Sequence, residues 1–311
     1  MDAYTLYAVN VDIAGGSDSD ILIDQVENFS LDPAINRLLL QADGNVYPTY
    51  VTVMGQSPVI GFTTSKLAAV LAKCGLTGLA IAADVDEPGV ECWWHKLAEG
   101  GTRAAGSSHL KMTVKKGIIV PRTLNAPIDG HATIAYDTIP TYDGTNDPIV
   151  IAGNQALSGS PGVSEVFTCG KVMINGAQLE GVQNISVDFG IRLTIIKADG
   201  LVWPTYVAII GIQPLITIAT VDLGCISTLG LTGAAQGATD SIIYLRKLSE
   251  GGTRVADNVA EHISLTIDEG HISVQNANSG GDANATANVE IAPTYDGTNA
   301  PIVFNTATTI S

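Results

Sequence analysis

The sequence states one pattern twice, in the same order. Val46-Tyr47-Pro48-Thr49-Tyr50-Val51 returns as Val202-Trp203-Pro204-Thr205-Tyr206-Val207, Gly75-Leu76-Thr77-Gly78 as Gly230-Leu231-Thr232-Gly233, and Glu99-Gly100-Gly101-Thr102-Arg103 as Glu250-Gly251-Gly252-Thr253-Arg254. Upstream, Val26-Glu27-Asn28-Phe29-Ser30-Leu31-Asp32 matches Val182-Gln183-Asn184-Ile185-Ser186-Val187-Asp188; near each end, Pro140-Thr141-Tyr142-Asp143-Gly144-Thr145-Asn146 matches Pro293-Thr294-Tyr295-Asp296-Gly297-Thr298-Asn299. In chain order the offsets are 156, 156, 155, 151 and 153 residues. So small a drift marks a tandem duplication with short loop insertions and deletions. The period is that of a domain, far beyond the roughly 20–50 residues of a solenoid repeat. Two domains are expected, residues 1–157 and 158–311, each burying its own core.

Charge is shared between the copies. Residues 1–157 carry 17 acids and 9 bases, residues 158–311 carry 14 and 6, so each half is at −8 and the chain at −16. Such a surface is a poor grip for nucleic acid, which needs Lys and Arg to displace counterions from phosphates. Charged residues make up only 15% of the chain, below the roughly 25% of average soluble proteins. A subunit that buries much of its surface against neighbours has this composition. Met1-Asp2-Ala3-Tyr4-Thr5 lacks the basic start and apolar core of a signal peptide, and no run approaches the roughly 18 apolar residues of a membrane span. Together with four cysteines read as buried thiols, these features point to a soluble protein made in a reducing cytoplasm, with no membrane partner.

Short β-branched and apolar runs dominate, among them residues 37–41, 50–54 and 59–62, separated by turn residues. Residues 191–196 and 206–210 repeat the pattern, and an Asp-Gly hairpin is expected at Asp43-Gly44 and again at Asp199-Gly200. One helix interrupts each copy. Leu67, Val70, Leu71 and Cys74 fall at helical spacing after a Thr64 or Ser65 cap, and residues 222–229, after a Thr220 cap, form a counterpart weakened by an internal Gly224. Residues 153–162 have the composition of a flexible linker. The fold class expected is mostly β: tandem sandwiches or barrels, each with one short helix.

Chemistry is sparse. Cys92-Trp93-Trp94-His95 is half a metal site without a second pair. His109 and His262 begin matching strands but lack a nucleophile or orienting acid, and read as structural. Asp143-Gly144-Thr145-Asn146 offers oxygen ligands without the spacing of a calcium loop, and reads as a tight turn. The Gly-Gly-Thr-Arg loops lack the ending of a phosphate cradle. No catalytic, cofactor or metal residue is assigned, and no enzyme is expected. Glu99 with Arg103, and Glu250 with Arg254, are interface candidates or loop braces. Tyr142, Tyr295, Tyr47 and Trp203 read as core or domain-contact aromatics.

Val26-Glu27-Asn28-Phe29, the Asp43-Gly44 hairpin, Pro48-Thr49-Tyr50-Val51, the Phe62-Thr63-Thr64-Ser65 entry and the amphipathic helix give the segment from Val26 to Gly78 a further meaning. This segment, and its repeat from Val182 to Gly233, resembles the tail-tube (major tail) proteins of long-tailed bacteriophages. The resemblance implies a β-sandwich or barrel flanked by a helix, stacked rings with a continuous inner β-barrel, and no catalytic residues. It also implies fused copies in trimeric rings that imitate hexameric ones, other phage tail proteins as partners, and a place in the virion. A DNA conduit calls for acidic or neutral walls that keep contacts with phosphates weak. Asp43 and Asp199, matched between copies, are lumen candidates. Competing readings are a capsid decoration or tail-tip ring protein, and a carbohydrate-binding adhesin module.

Overall fold

The computed structural model describes residues 2–12, 21–81, 89–157, 162–163, 165–198, 200–236, 241–280 and 283–311; Asp199 and residues 158–161 of the expected linker lie outside the described residues. The fold is mostly β. The first copy runs β1 (Ala3–Asp12), β2 (Ile21–Ile23), β3 (Val26–Asp32), β4 (Ile35–Leu40), β5 (Tyr50–Gln56), β6 (Val59–Thr64), α1 (Leu67–Cys74), β7 (Leu79–Ile81), β8 (Gly89–Leu97), β9 (His109–Val114), β10 (Gly117–Pro127), β11 (Thr133–Pro140) and β12 (Val150–Gln155). The second runs β13 (Phe167–Ile174), β14 (Ala177–Leu179), β15 (Val182–Asp188), β16 (Ile191–Ile196), β17 (Tyr206–Ile212), β18 (Leu215–Thr220), α2 (Gly224–Leu229), β19 (Ala234–Gln236), β20 (Ser241–Lys247), β21 (His262–Ile267), β22 (Gly270–Gly280), β23 (Ala283–Pro293) and β24 (Val303–Thr308). β12 takes in Gly153, Asn154 and Gln155, which composition alone assigns to the linker.

Pairing repeats along with the order. One antiparallel sheet, β12-β9-β8-β1-β2, has its counterpart in β24-β21-β20-β13-β14, and the hairpins β4-β5 and β16-β17 correspond. The remaining strands of both copies make one long sheet, β19-β22-β23-β18-β15-β10-β11-β6-β3, with β7 alongside β10. β10 makes this union because it is long enough to serve two neighbours on one edge. Its first residues, Gly117 to Ile119, pair with β7, and its last, Thr123 to Pro127, pair with Asp188 to Asn184 of β15.

The expectation of two separate cores is corrected by this junction. A single cluster of buried side chains passes through both copies. Leu124 and Ala126 of β10 and Ile185 and Val187 of β15 are fully buried in it, side by side across the joint. Each of the larger three stabilises by about 1.5–3 kcal/mol relative to exposure.

Both helices sit where periodicity puts them, but neither is capped by the hydroxyl the sequence suggests. Thr64 Oγ1 accepts the Lys66 N–H at 3.0 Å, outside the helix, while the Ala68 N–H donates to the Glu165 carboxylate at 2.8 Å. A residue of the second copy thus satisfies a helix terminus of the first. In α2, Gly224 is the first residue instead of an internal one, with its N–H on Asp222 Oδ1 at 2.8 Å, and Thr220 Oγ1 accepts the Asp222 N–H outside the helix. The Asp43-Gly44 hairpin forms between β4 and β5, although its loop spans all of residues 41–49.

The repeated Gly-Leu-Thr-Gly motif has a steric cause. Gly78 and Gly233 hold φ of +72° and +75°, and a Cβ on either would stand 2.2 Å from the carbonyl oxygen of Ile119 or Ile272. Left-handed backbone pressed against a strand admits glycine alone. Gly78→Ala is expected to lower stability by about 1–3 kcal/mol, read from the urea midpoint, and Gly233→Ala by a similar amount.

Candidate functional site

The repeated loop motifs are held by their own main chain. In the first, the Ala98 N–H bonds Thr102 O at 2.7 Å and the Ala104 N–H bonds Lys96 O; in the second, Ser249 and Val255 do the same toward Thr253 and Lys247. Glu99, Arg103, Glu250 and Arg254 are all exposed. Arg103 lies 4.9 Å above the Tyr7 ring, and among the described residues no ion pair joins it to Glu99. Glu250 lines a cleft with Val163, Glu165 and Val166, next to the connection between the copies. Neither Arg lies on the strand joint.

Asp143 and Asp296 build matching turns. Asp143 Oδ1 accepts the N–H groups of Thr145 and Asn146 at 2.7 and 2.6 Å, and Oδ2 accepts the Asn146 side chain at 2.9 Å. Asp296 repeats the arrangement with Thr298 and Asn299. The carboxylates are engaged by the turn itself. For Asp143, burial pushes upward but is outweighed by the Asn146 and Thr145 bonds, whereas the exposed Asp296 is held below the ordinary aspartate range first by Asn299 and then by Thr298. His109 and His262 are buried, and Nδ1 of each accepts a main-chain N–H, from Lys96 at 3.0 Å and Lys247 at 3.1 Å. They brace the starts of β9 and β21. Cys92 and His95 fall on opposite faces of β8, since side chains alternate along a strand. Cys74, Cys92 and Cys169 are buried, and burial pushes the Cys74 thiol up to about 12; Cys225 is half-buried.

What the fold assembles is the joint between the copies. Asn184 Nδ2 donates to Asn125 Oδ1 at 3.0 Å across it, and the Phe189 N–H donates to Arg122 O at 3.0 Å. Arg122 is the polar centre. Its Nε meets Asp137 Oδ2 at 2.7 Å and its Nη1 meets Ile191 O at 3.0 Å. A second contact comes from the tip of the β16-β17 hairpin. Val202 O accepts the Gln56 N–H at 2.8 Å, and Pro204 O accepts the Tyr142 N–H at 2.7 Å. Trp203 and Tyr142, whose main chain lies at this contact, are half-buried, while their counterparts Tyr47 and Tyr295 are exposed. A third contact sets α1 of the first copy against β24 of the second.

The face of the long sheet turned away from the core has its own chemistry. Directly opposed residues of antiparallel strands share a face. One row runs Ser273, Glu290, Thr217, Ser186, Asn125, Thr133 through both copies. The next runs Leu215, Asp188, Thr123, Ala135, Thr63. Asp137 pairs with Gly61, and Gly61 with Ser30, on the same face, and Asp32 lies beyond. Nearly all of these side chains are small and neutral or acidic; of the bases beside them among the described residues, Arg122 is tied to Asp137, and the His271 ring lies against Thr232 O. Asp43 stands off this face, exposed in the loop of the β4-β5 hairpin. Among the described residues, the acids on it are Asp32, Asp137, Asp188 and Glu290. Sequence reasoning missed them, though the alternation of Ile185 and Val187 with Ser186 and Asp188 carried the signal.

No protein-family model matches the sequence, and no curated protein matches it. No helix of the described residues is long and apolar enough to cross a membrane, and no cluster of three or more metal-ligating side chains occurs among them.

Two outcomes are expected. Asp296 binds its proton less readily in the folded chain than in the unfolded one, so its stabilising contribution is present above the ordinary aspartate value of 3.8 and is lost as pH falls through the lowered one. Asp296→Ala should therefore have a lower urea midpoint than the parent at pH 7, with the gap closing near pH 2. Arg122→Met, which removes two bonds at the joint while keeping its length, should cost about 1.5–3 kcal/mol in the same measurement.

Proposed function

We propose that this chain is a non-catalytic virion component, a tail-tube subunit that assembles with copies of itself into stacked rings enclosing a conduit for phage DNA. The observation that carries the reading is the long sheet. It passes from one copy to the next without a break and turns a small, polar and acidic face away from the core. A curved continuation of that sheet around an axis would line a bore with Ser, Thr, Asn and carboxylates. Phosphates would meet like charge there and almost no cation to hold them.

The unpaired edges of the sheet agree with this reading. A strand edge bearing free N–H and C=O groups is a template for another strand, and soluble monomers blunt such edges. Here the outer edge of β3 at one end, and the outer edge of β22 beyond Val274 at the other, have no partner among the described residues, since β3 is paired with β6 alone and this part of β22 with β23 alone. The hairpin β4-β5 leaves Leu39, Val46, Tyr47, Val51 and Met54 exposed, an apolar surface suited to burial by neighbours. Two similar copies per chain would let three chains supply six quasi-equivalent positions, as the resemblance to tail-tube proteins implies. In this reading the acids set to face the bore are Asp32, Asp137, Asp188 and Glu290, in place of Asp43 on its hairpin loop.

Negative-stain electron microscopy of the purified protein over a concentration series tests the proposal. Rings, or hollow tubes with a regular axial repeat, are expected, with no measurable retention of duplex DNA at physiological salt. Particles that stay monomeric at every concentration would overturn it.

A further inference from the structure

The chain uses its copy-to-copy joint once, and one spare half of that joint remains at each end. At the internal joint the first copy contributes the end of β10, Gln56, Tyr142 and α1, and the second contributes β15, the hairpin tip Val202 to Pro204, and β24. The offsets of the repeat locate the spare halves. Moving the first set forward gives β22 beyond Val274, Ile212, Tyr295 and α2. Moving the second set back gives β3, the tip Val46 to Pro48, and β12.

Burial shows that these halves are surfaces awaiting cover. Leu76, after α1, is 6% exposed, whereas its counterpart Leu231, after α2, is 99% exposed. Leu124 and Ala126 are fully buried at the joint, but Ala277 and Ser279 in the corresponding places of β22 are exposed. On the other half, Ile185 and Val187 are fully buried while Leu31 is exposed. At the hairpin tip Pro204 is buried and Trp203 half-buried, against an exposed Pro48 and a Tyr47 at 79%; the receiving Tyr295 is 63% exposed. An open groove of about 290 Å³ lies along α2, lined by Ile174, Leu179, Cys225 and Leu229 among others. The counterpart of β24 that would lie against α2 is β12, whose Ile151 is exposed.

The polar partners are also present twice. The amide pair Asn125 and Asn184 has both members repeated at the spare edges, as Asn278 and Asn28, each exposed. Arg122 bonded to Asp137 is replaced by Gln275, whose Nε2 donates to Glu290 Oε1 at 2.8 Å. One departure is plain. Pro33 stands where Phe189 donates its N–H to Arg122 O, so the second joint has one main-chain bond fewer.

We infer that a second copy of this chain docks head to tail on the first, its β3 adding to the outer edge of β22 in the register Asn276↔Asp32, Ala277↔Leu31, Asn278↔Ser30 and Ser279↔Phe29. This register is the internal one, Thr123↔Asp188 to Ala126↔Ile185, carried forward by 153 residues on β10 and back by 156 on β15. The tip Val46 to Pro48 of the incoming chain seats between Ile212 and Tyr295, and its β12 covers α2 and Leu231. The contact is heterologous. It closes into a ring if the rotation repeats to a full turn and otherwise winds into a filament. This inference rests on the self-assembly reading above and names the surfaces that it uses.

The test is a cysteine pair, Leu31→Cys with Ala277→Cys, in the full chain, oxidised mildly and run on a non-reducing gel. A shifted pair, Leu31→Cys with Gln275→Cys, and the parent chain with its native thiols serve as controls. The matched pair is expected to give a ladder of covalent multimers at least tenfold stronger than either control. In addition, Leu231→Asp should raise the concentration needed for assembly at least tenfold while leaving the urea midpoint unchanged, since that side chain is 99% exposed in the single chain. Rings or tubes in the microscope with no ladder from the matched pair, or with equal ladders from both pairs, would overturn this interface and leave the conduit reading standing. A matched ladder from solid filaments without a bore would uphold the interface and overturn the conduit. Monomers throughout would overturn both.

Discussion

The structure depends on one strand carrying two partners on the same edge. β10 pairs with β7 through its first residues and with β15 through its last, and that second pairing alone turns two five-stranded layers into one sheet. Backbone hydrogen bonds fix the direction and register of the joint, because each residue of shift moves every side chain to the opposite face. Apolar burial gives it strength. Leu124, Ala126, Ile185 and Val187 all leave water when β15 docks, and the cores of the two copies become continuous. The hairpin contact at Val202 and Pro204 and the Glu165 carboxylate on α1 follow from that placement.

A joint between near-identical partners has a consequence for the whole molecule. Equivalent residues end up in unlike environments, since each copy is joined on one side only. Trp203 is partly covered and Tyr47 is not; Leu76 is buried and Leu231 bare. Exposed apolar side chains and unpaired strand edges cost free energy and invite association, and monomeric proteins select against them. Their retention at the places that mirror the internal joint is what the proposal of self-assembly rests on.

The same sheet separates two kinds of chemistry. Toward the core it presents Ile, Val, Phe and Tyr136; away from it, Ser, Thr, Asn, Gly and four carboxylates. The period-two alternation of a strand makes this segregation possible without any dedicated site. In the proposed conduit, a face of this chemistry would let a polyanion pass while keeping contacts with its phosphates weak. The histidines and aspartates that stand out in the sequence are absorbed by structure: His109 and His262 accept main-chain N–H groups, and Asp143 and Asp296 close turns.

Read from the residues alone, the repeat established the element order, and local chemistry established most elements. β-Branched runs became strands, Leu67, Val70, Leu71 and Cys74 became the buried stripe of a helix, and the glycines and aspartates of the repeated motifs became turns. These outcomes are local, set within a few residues by sterics and hydrogen bonding. The tertiary structure decided what no local pattern holds: that the cores merge, that Glu165 caps α1 in place of Thr64 or Ser65, and that the acids of the shared sheet face are Asp32, Asp137, Asp188 and Glu290 rather than Asp43. Strand edges carry the same N–H and C=O groups whatever their side chains, so the choice of partner rests on long-range packing. Two copies with one pattern therefore came to have different surfaces.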